Sequence, residues 1–292
     1  MTDTAARGSD LDVLLGLLDI EQIEEDVWRG VHPAQTGSRT FGGQLVAQAL
    51  VAAGRTVGDR PVHAVNAHFI RGGDVRRPIE YRVVRHRDGR DFANRMVTAV
   101  QDDRELFVML AAFQRWGRGL EHSVTVPDVP LPDALPPIGD RLRGYEEQLP
   151  HFVGALKPID MRYANDPAWV LRDAGERLEH NRVWMRADGA LPDDPLLHVA
   201  TLAYGSDTTV LDSILTTHGL SWGLDRIVAA TVNHSIWFHR PVRFDEWHLY
   251  ATESPVAAGS RGMATGRYFT LEGELVATIV QEGLVRHFPP RR

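Results

Sequence analysis

The 292-residue chain contains no cysteine, which excludes disulfides, thiolate metal sites and a cysteine nucleophile. Lys157 is the only lysine, so positive charge is carried almost entirely by arginine. That usage reads first as a surface preference and only second as a means of gripping phosphate through the guanidinium fork. A long hydrophobic run is missing too: no window approaches the ~20 apolar residues that a spanning helix needs. Met1 to Asp12 lacks the basic start and apolar stretch of a secretory signal, and Phe288-Pro289-Pro290-Arg291-Arg292 carries no peroxisomal-type address. A soluble, cytoplasmic protein without a membrane partner is expected.

Strong charge of either sign is also lacking. A formal charge of −7 and a pI near 6.0 exert no global pull toward nucleic acid, and the aromatic and basic residues are scattered rather than interleaved on one strip. No nucleic-acid partner is expected. The chain has no G-x-S-x-G elbow, Walker loop, dinucleotide fingerprint or H-E-x-x-H. Neither a metal nor a cofactor is therefore expected. The pairs His63/His68 and His234/His239 are each five apart, which puts the two members on opposite strand faces and favours structural roles.

What is present is a repeated order of elements. Leu11, Leu14, Leu15, Leu18 and Ile23 predict a short amphipathic helix over 11–25, followed by a strand near Asp26–Val31 and a loop from Pro33 to Thr40. Phe41-Gly42-Gly43-Gln44 opens a helix that is apolar almost all round and closes near Gly54, so it should be largely enclosed. Period-two runs then follow from Val62 to Trp116, with turns at Asp88-Gly89 and Asp102-Asp103, the pattern of an antiparallel meander. Residues 118–140 carry Pro127, Pro130, Pro132, Pro136 and Pro137 and read as an extended linker.

Beyond the linker the order returns: a helical segment at Leu142–Leu149, strands at Ile159–Tyr163 and Val183–Arg186, a helix over 204–219, then four strand runs with a Glu272-Gly273 turn. Phe69-Ile70-Arg71 answers Phe238-His239-Arg240, and Glu105-Leu106-Phe107-Val108 answers Glu274-Leu275-Val276-Ala277, both at an offset of 169. The expectation is an α+β fold of two similar units, 1–117 and 141–292, each a long helix wrapped by an antiparallel sheet.

The chemistry is expected at Tyr204-Gly205-Ser206-Asp207, where a carboxylate precedes the apolar stripe Val210, Leu211, Ile214, Leu215. Asp207 reads as the N-cap of that helix, in which case the helix dipole should hold its pKa low and make it a positioner rather than a strong base. Thr231 reads as a strand residue, and Gln281 as either a sheet-end residue or a hydrogen-bonding site residue. Gly43 either suits a tight loop or permits close ligand approach, and Gln44 is either a first-turn helix residue or a donor near a ligand.

Phe41-Gly42-Gly43-Gln44-Leu45-Val46-Ala47-Gln48-Ala49-Leu50, Arg87-Asp88-Gly89, Leu202 to Asp207, Asn233 to Pro241 and Val280-Gln281-Glu282-Gly283 together resemble the acyl-CoA thioesterase II family. The resemblance covers nearly the whole length. It implies two fused hotdog units and hydrolysis of medium- to long-chain fatty acyl-CoA without a cofactor. It further implies that Asp207, Thr231 and Gln281 hold the hydrolytic water, that Gly43 and Gln44 meet substrate, and that the protein is a homo-oligomer. Gly205 and Thr208-Thr209 are smaller than the residues often found there. The oxyanion donors are expected at a helix start, either 41–54 or 207–219. Two alternatives stand beside this reading. One is a non-hydrolytic acyl-CoA binder or regulator. The other is an enoyl-thioester hydratase, which wants an Asp/His pair, whereas His218 lies eleven residues from Asp207 and about three turns along the predicted helix.

Overall fold

The computed structural model describes residues 9–33, 39–149 and 157–288, so most of the loop expected between Pro33 and Thr40 lies outside the described residues. Helix α1 (Asp10–Leu18) is shorter than its leucine pattern predicts. Ser9 and Asp12 form a capping box at its start, and it ends at Asp19, leaving Ile23 in strand β1 (Glu21–Glu24). Strand β2 (Val27–Gly30) and helix α2 (Gly42–Gly54) follow. Then come β3 (Val62–Phe69), β4 (Ile79–Asp88), β5 (Phe92–Gln101) and β6 (Arg104–Gln114). The later half contains α3 (Ile138–Arg141), β7 (Ile159–Tyr163), α4 (Ala168–Ala174), β8 (His180–Ala187), α5 (Pro195–Ser206) and α6 (Asp212–His218). It closes with β9 (Ile227–Phe238), β10 (His248–Ala258), β11 (Arg261–Thr270) and β12 (Leu275–His287). Residues 142–149 form turns rather than the expected helix, because Gly144 adopts a positive φ of 85° just after α3.

The twelve strands among the described residues join one antiparallel sheet in the order β1-β2-β4-β5-β6-β3-β9-β12-β11-β10-β8-β7. The two halves therefore meet edge to edge at β3 and β9, which removes two exposed edges. Adding 169 to each end of β5 gives β11, and the same offset carries β3 and β4 into β9 and β10, while β6 maps onto β12 at 170, since Phe107 pairs with Ala99 and Ala277 with Tyr268. Even the irregularities repeat, with register shifts after Ala99 and after Tyr268. At the junction Asn66 pairs with Ser235, themselves 169 residues apart, so a local two-fold relation passes between them.

Turn chemistry accounts for the meander. Asp102 and Asp103 both take positive φ, the geometry of a tight hairpin turn, and Gly273 does so after Glu272. The Arg87-Asp88-Gly89 stretch closes β4 onto β5, and Asp88 accepts a 2.7 Å bond from Arg95, a guanidinium buried at 1% exposure. Helix α2 is apolar nearly all round because it lies between the inner face of β2–β6 and α5. The proline-bearing connection is more than a spacer. Val126, Val129 and Leu135 pack on Trp184, Trp247, Leu249 and Phe269, and Trp184 donates to the carbonyl of Pro130 at 2.9 Å. No helix among the described residues is long and apolar enough to cross a membrane.

Candidate active site

The helix expected over 204–219 is in fact two. Asp194 caps α5 by accepting the Leu196 N–H, and Pro195 occupies the first turn, a start signal the leucine pattern had hidden. Helix α5 then ends at Ser206, so Asp207 is its C-cap and not an N-cap. The amide and hydroxyl of Thr208 both return to the carbonyl of Gly205, at 3.1 and 2.6 Å. These local bonds compete with the helical ladder and turn the chain aside before α6 restarts it.

Asp207 nevertheless serves a helix start, one in the other half. Helix α2 has no side-chain cap of its own, and the N–H of Gly43 donates to the Asp207 carboxylate. The two helices run antiparallel in close contact. A β-carbon on Gly43 would stand 2.5 Å from the carbonyl oxygen of Tyr204, and one on Gly42 would stand 2.6 Å from Asp207 Oδ2. At the far end Gly54 meets Leu196 in the same way. Glycine at these positions is what lets the carboxylate reach the helix end.

The other two expected residues arrive from adjacent strands. Gln281 Nε2 donates to Asp207 Oδ1 at 2.8 Å and to Thr231 Oγ1 at 3.2 Å, and the Thr231 hydroxyl donates to the same Oδ1 at 3.2 Å. Thr231 reaches this face only because β9 is irregular. Gln281 pairs with His234 and Glu282 with Asn233, but Gly283 pairs with Thr231, so Val232 is an extra residue. In a regular strand Thr231 would point away from His234, and the bulge turns it inward.

The electrostatics differ from the expectation of a low pKa. Burial raises the Asp207 carboxyl above the ordinary carboxylate value; His234, Gln281, Thr231 and the Gly43 N–H pull it down without cancelling the rise. A carboxylate shifted upward is a better proton acceptor near neutral pH. Gln44, expected to meet substrate, is turned to a different network: its amide donates to the Val31 carbonyl at 3.0 Å and lies within bonding distance of Gln48 and His32. It braces the segment before α2 instead.

The chain matches the family models for acyl-CoA thioesterase, over residues 152–284, and for the acyl-CoA thioesterase N-terminal domain, over residues 31–114. It is 36% identical over 292 residues to acyl-coenzyme A thioesterase 8 of Rattus norvegicus, covering 95% of this chain and 90% of that one. The chain belongs to the acyl-CoA thioesterase family. A solved acyl-CoA thioesterase II, TesB2 from Mycobacterium marinum, superposes with a TM-score of 0.77 at 36% identity over 96% of this chain and 99% of that one. A protein with a hot dog fold from Alicyclobacillus acidocaldarius, 20% identical, superposes with a TM-score of 0.76 over 95% and 99% of the two chains. That last likeness concerns the fold alone.

Within this acyl-CoA thioesterase framework, one residue escaped the reading by spacing. His234 is fully buried, with Nδ1 in hydrogen-bonding contact with Gln281 Oε1 and Nε2 at 2.9 Å from Ser206 Oγ. Its reading as a strand histidine with a structural role gave no hint of these neighbours, and distance along the chain from Asp207, by which His218 was the nearest histidine, could not show that His234 approaches in space. Strand parity excluded joint metal ligation with His239, but it could not reveal that β9 lies against the end of α5. Aromatic rings complete the surroundings. Phe69 edges the space beside Gly42 and stacks edge-on with Phe107, and Phe41 does so with Tyr204, both pairs 5.1 Å apart.

Proposed function

We propose that the protein hydrolyses fatty acyl-CoA, of medium to long chain, to free fatty acid and CoA by direct attack of a water on the thioester carbonyl. The observation that carries this reading is the convergence of Asp207, Thr231 and Gln281 on one carboxylate oxygen at the start of α2. Because Gln281 and Thr231 both bond Oδ1, Oδ2 is the oxygen turned to the space beside Gly42 and the Phe69 ring. Oδ2 takes a proton from water as the water attacks. The tetrahedral oxyanion faces the first turn of α2, whose N–H groups lack intrahelical acceptors. Collapse expels the CoA thiolate, which takes the proton back from Asp207, so no covalent intermediate, metal or cofactor enters. Gly43 contributes through its N–H and its missing side chain.

In this reading residues 1–117 and 141–292 are two fused hotdog units, each a helix wrapped by its half of the sheet, with 118–140 as the connection. Helix α2 is the central helix of the first unit, and the broken α5–α6 pair that of the second. The protein acts as a cytoplasmic homo-oligomer, a second copy covering outward-facing Leu110, Val84 and Trp237, which are 52%, 45% and 37% exposed. The test is free-CoA release by the purified protein across short, medium and long acyl donors. Release that rises with chain length is expected. Binding of the donors with no thiol released would make the protein a non-hydrolytic binder.

A further inference from the structure

The Gln281 amide can face Asp207 in two ways. Presenting its NH2 supplies two donors to Oδ1 and Thr231; presenting its carbonyl would oppose oxygen to oxygen and expel the negative charge. Nothing in Asp207 or Thr231 alone chooses between them, since a protonated carboxyl could satisfy the reversed amide. The choice is made on the amide's other side, by a fully buried imidazole. We infer that His234 is a positioning residue for hydrolysis, an inference that rests on the thioesterase reading: its Nδ1–H donates to Gln281 Oε1 and so fixes the amide with its NH2 toward Asp207.

The Gln281 amide requires this tautomer: with its NH2 turned to Asp207 and Thr231, only an N–H on Nδ1 can meet Oε1. Ser206 Oγ lies 2.9 Å from both His234 Nε2 and the Ala203 carbonyl, and its single proton can serve only one of them. With Nε2 bare, the hydroxyl turns from the Ala203 carbonyl to donate to it, the remaining proton sits on Nδ1, and each bond from Ser206 through the ring and the amide to Asp207 has one donor and one acceptor. With the proton on Nε2 instead, a bare Nδ1 would face Oε1 and the amide would have to reverse. Burial lowers the pKa of His234, with Asp207 and Gln281 opposing, which keeps a single proton on the ring at neutral pH. Ser206 is itself held in place, since Tyr250 donates to its carbonyl at 3.0 Å. Two links thus separate the end of α5 from the reacting carboxylate, and both are buried.

The arrangement is tested on the full chain with four measurements. Histidine-selective 15N NMR of the unmodified protein should show His234 protonated at Nδ1 at neutral pH; protonation at Nε2 overturns the inference, whatever the protein turns over. His234→Leu should lower kcat by about 10- to 100-fold with KM nearly unchanged, the cost of a displaced catalytic group. It should also move the acid limb of kcat/KM to higher pH, because Asp207 loses the donor that holds its pKa down. The other titratable groups that sense Asp207 are Tyr204 and Tyr250, whose hydroxyls burial keeps neutral through this range. His234→Asn places an N–H close to the former Nδ1 and should recover most of the loss, which a merely space-filling role would not allow. Ser206→Ala should lower kcat by a smaller factor, about 3- to 10-fold, by freeing the tautomer. A folded His234→Leu with normal kcat and pH profile, or an Asn variant no better than Leu, overturns the inference. If Leu fails to fold, Asn, Ala and the NMR tautomer decide it. Failure of the unmodified protein to release CoA would instead overturn the thioesterase reading and leave the tautomer measurement standing.

Discussion

The two halves of the molecule share a scaffold down to their register shifts, yet their inner faces differ where it matters. The places of Thr231, His234 and Gln281 are held in the first half by Val62, Val65 and Ala111, since Val65 pairs with Ala111 as His234 pairs with Gln281. Val62 even precedes a register shift like the one that turns Thr231 inward. One pole is therefore polar and the other apolar on the same backbone. The helices differ in a complementary way. Helix α2 is continuous and begins with glycines, whereas its counterpart breaks at Asp207 and restarts with Asp212, the residue 169 after Gly43. A glycine start in one half can receive a carboxylate from the broken helix of the other. The reverse pairing has an aspartate where the close approach would be needed. Symmetry supplies the frame, and its violation leaves one such pole per chain.

That contrast can be broken most severely at Asp207. Asp207→Asn keeps the shape and removes the proton acceptor, and thiol release from an acyl-CoA donor should fall about 1,000-fold. The next effect concerns the opposite pole. Asp212 is buried, accepts a 2.6 Å bond from Trp222 and another from Tyr163, and burial pushes its pKa up to about 7. A folded-state pKa above the free value of 3.8 means the native protein binds the extra proton. Stability from this group is therefore full below about pH 4, declines as pH rises toward 7, and is lost above it, a difference of about 4 kcal/mol. Asp212→Asn should melt well above the unsubstituted protein at pH 8 and close to it at pH 4; equal melting at both would show that the carboxylate is not held neutral.

Thr231→Val places in the second half the residue found at Val62. Loss of one hydroxyl donor to a charged oxygen should cut kcat by about 10- to 100-fold while leaving the melting temperature nearly unchanged. The smallest change is the mirror substitution. Val62→Thr should leave kcat within about twofold and lower stability by about 1 kcal/mol, because a buried hydroxyl replaces a methyl without a catalytic partner. A measurable drop in turnover there would mean that the two poles are coupled.

The strands, their turns and the repeat were legible in the sequence because each depends on local chemistry: period-two burial, Asp88-Gly89, Asp102-Asp103, Glu272-Gly273. The convergence of Asp207, Thr231 and Gln281 was reached through resemblance, not spacing, since a bulge at Val232 overrides the parity by which Thr231 would be placed. The helix break was misread because an aspartate before an apolar stripe looks the same whether it starts a helix or ends one. Asp194-Pro195 was the signal that separates the two cases. His234 left no local trace at all, as its partners lie 28 and 47 residues away.

The proline-bearing strap has a consequence for taking the protein apart. Severed before residue 141 and produced alone, the later half would be stripped of Val126, Val129 and Leu135 and would present Trp184, Trp247, Leu249 and Phe269 to water as a bare aromatic shelf. Such a fragment is a candidate for clumping rather than for half an enzyme, so the smallest soluble piece of this end must begin upstream, near residue 120.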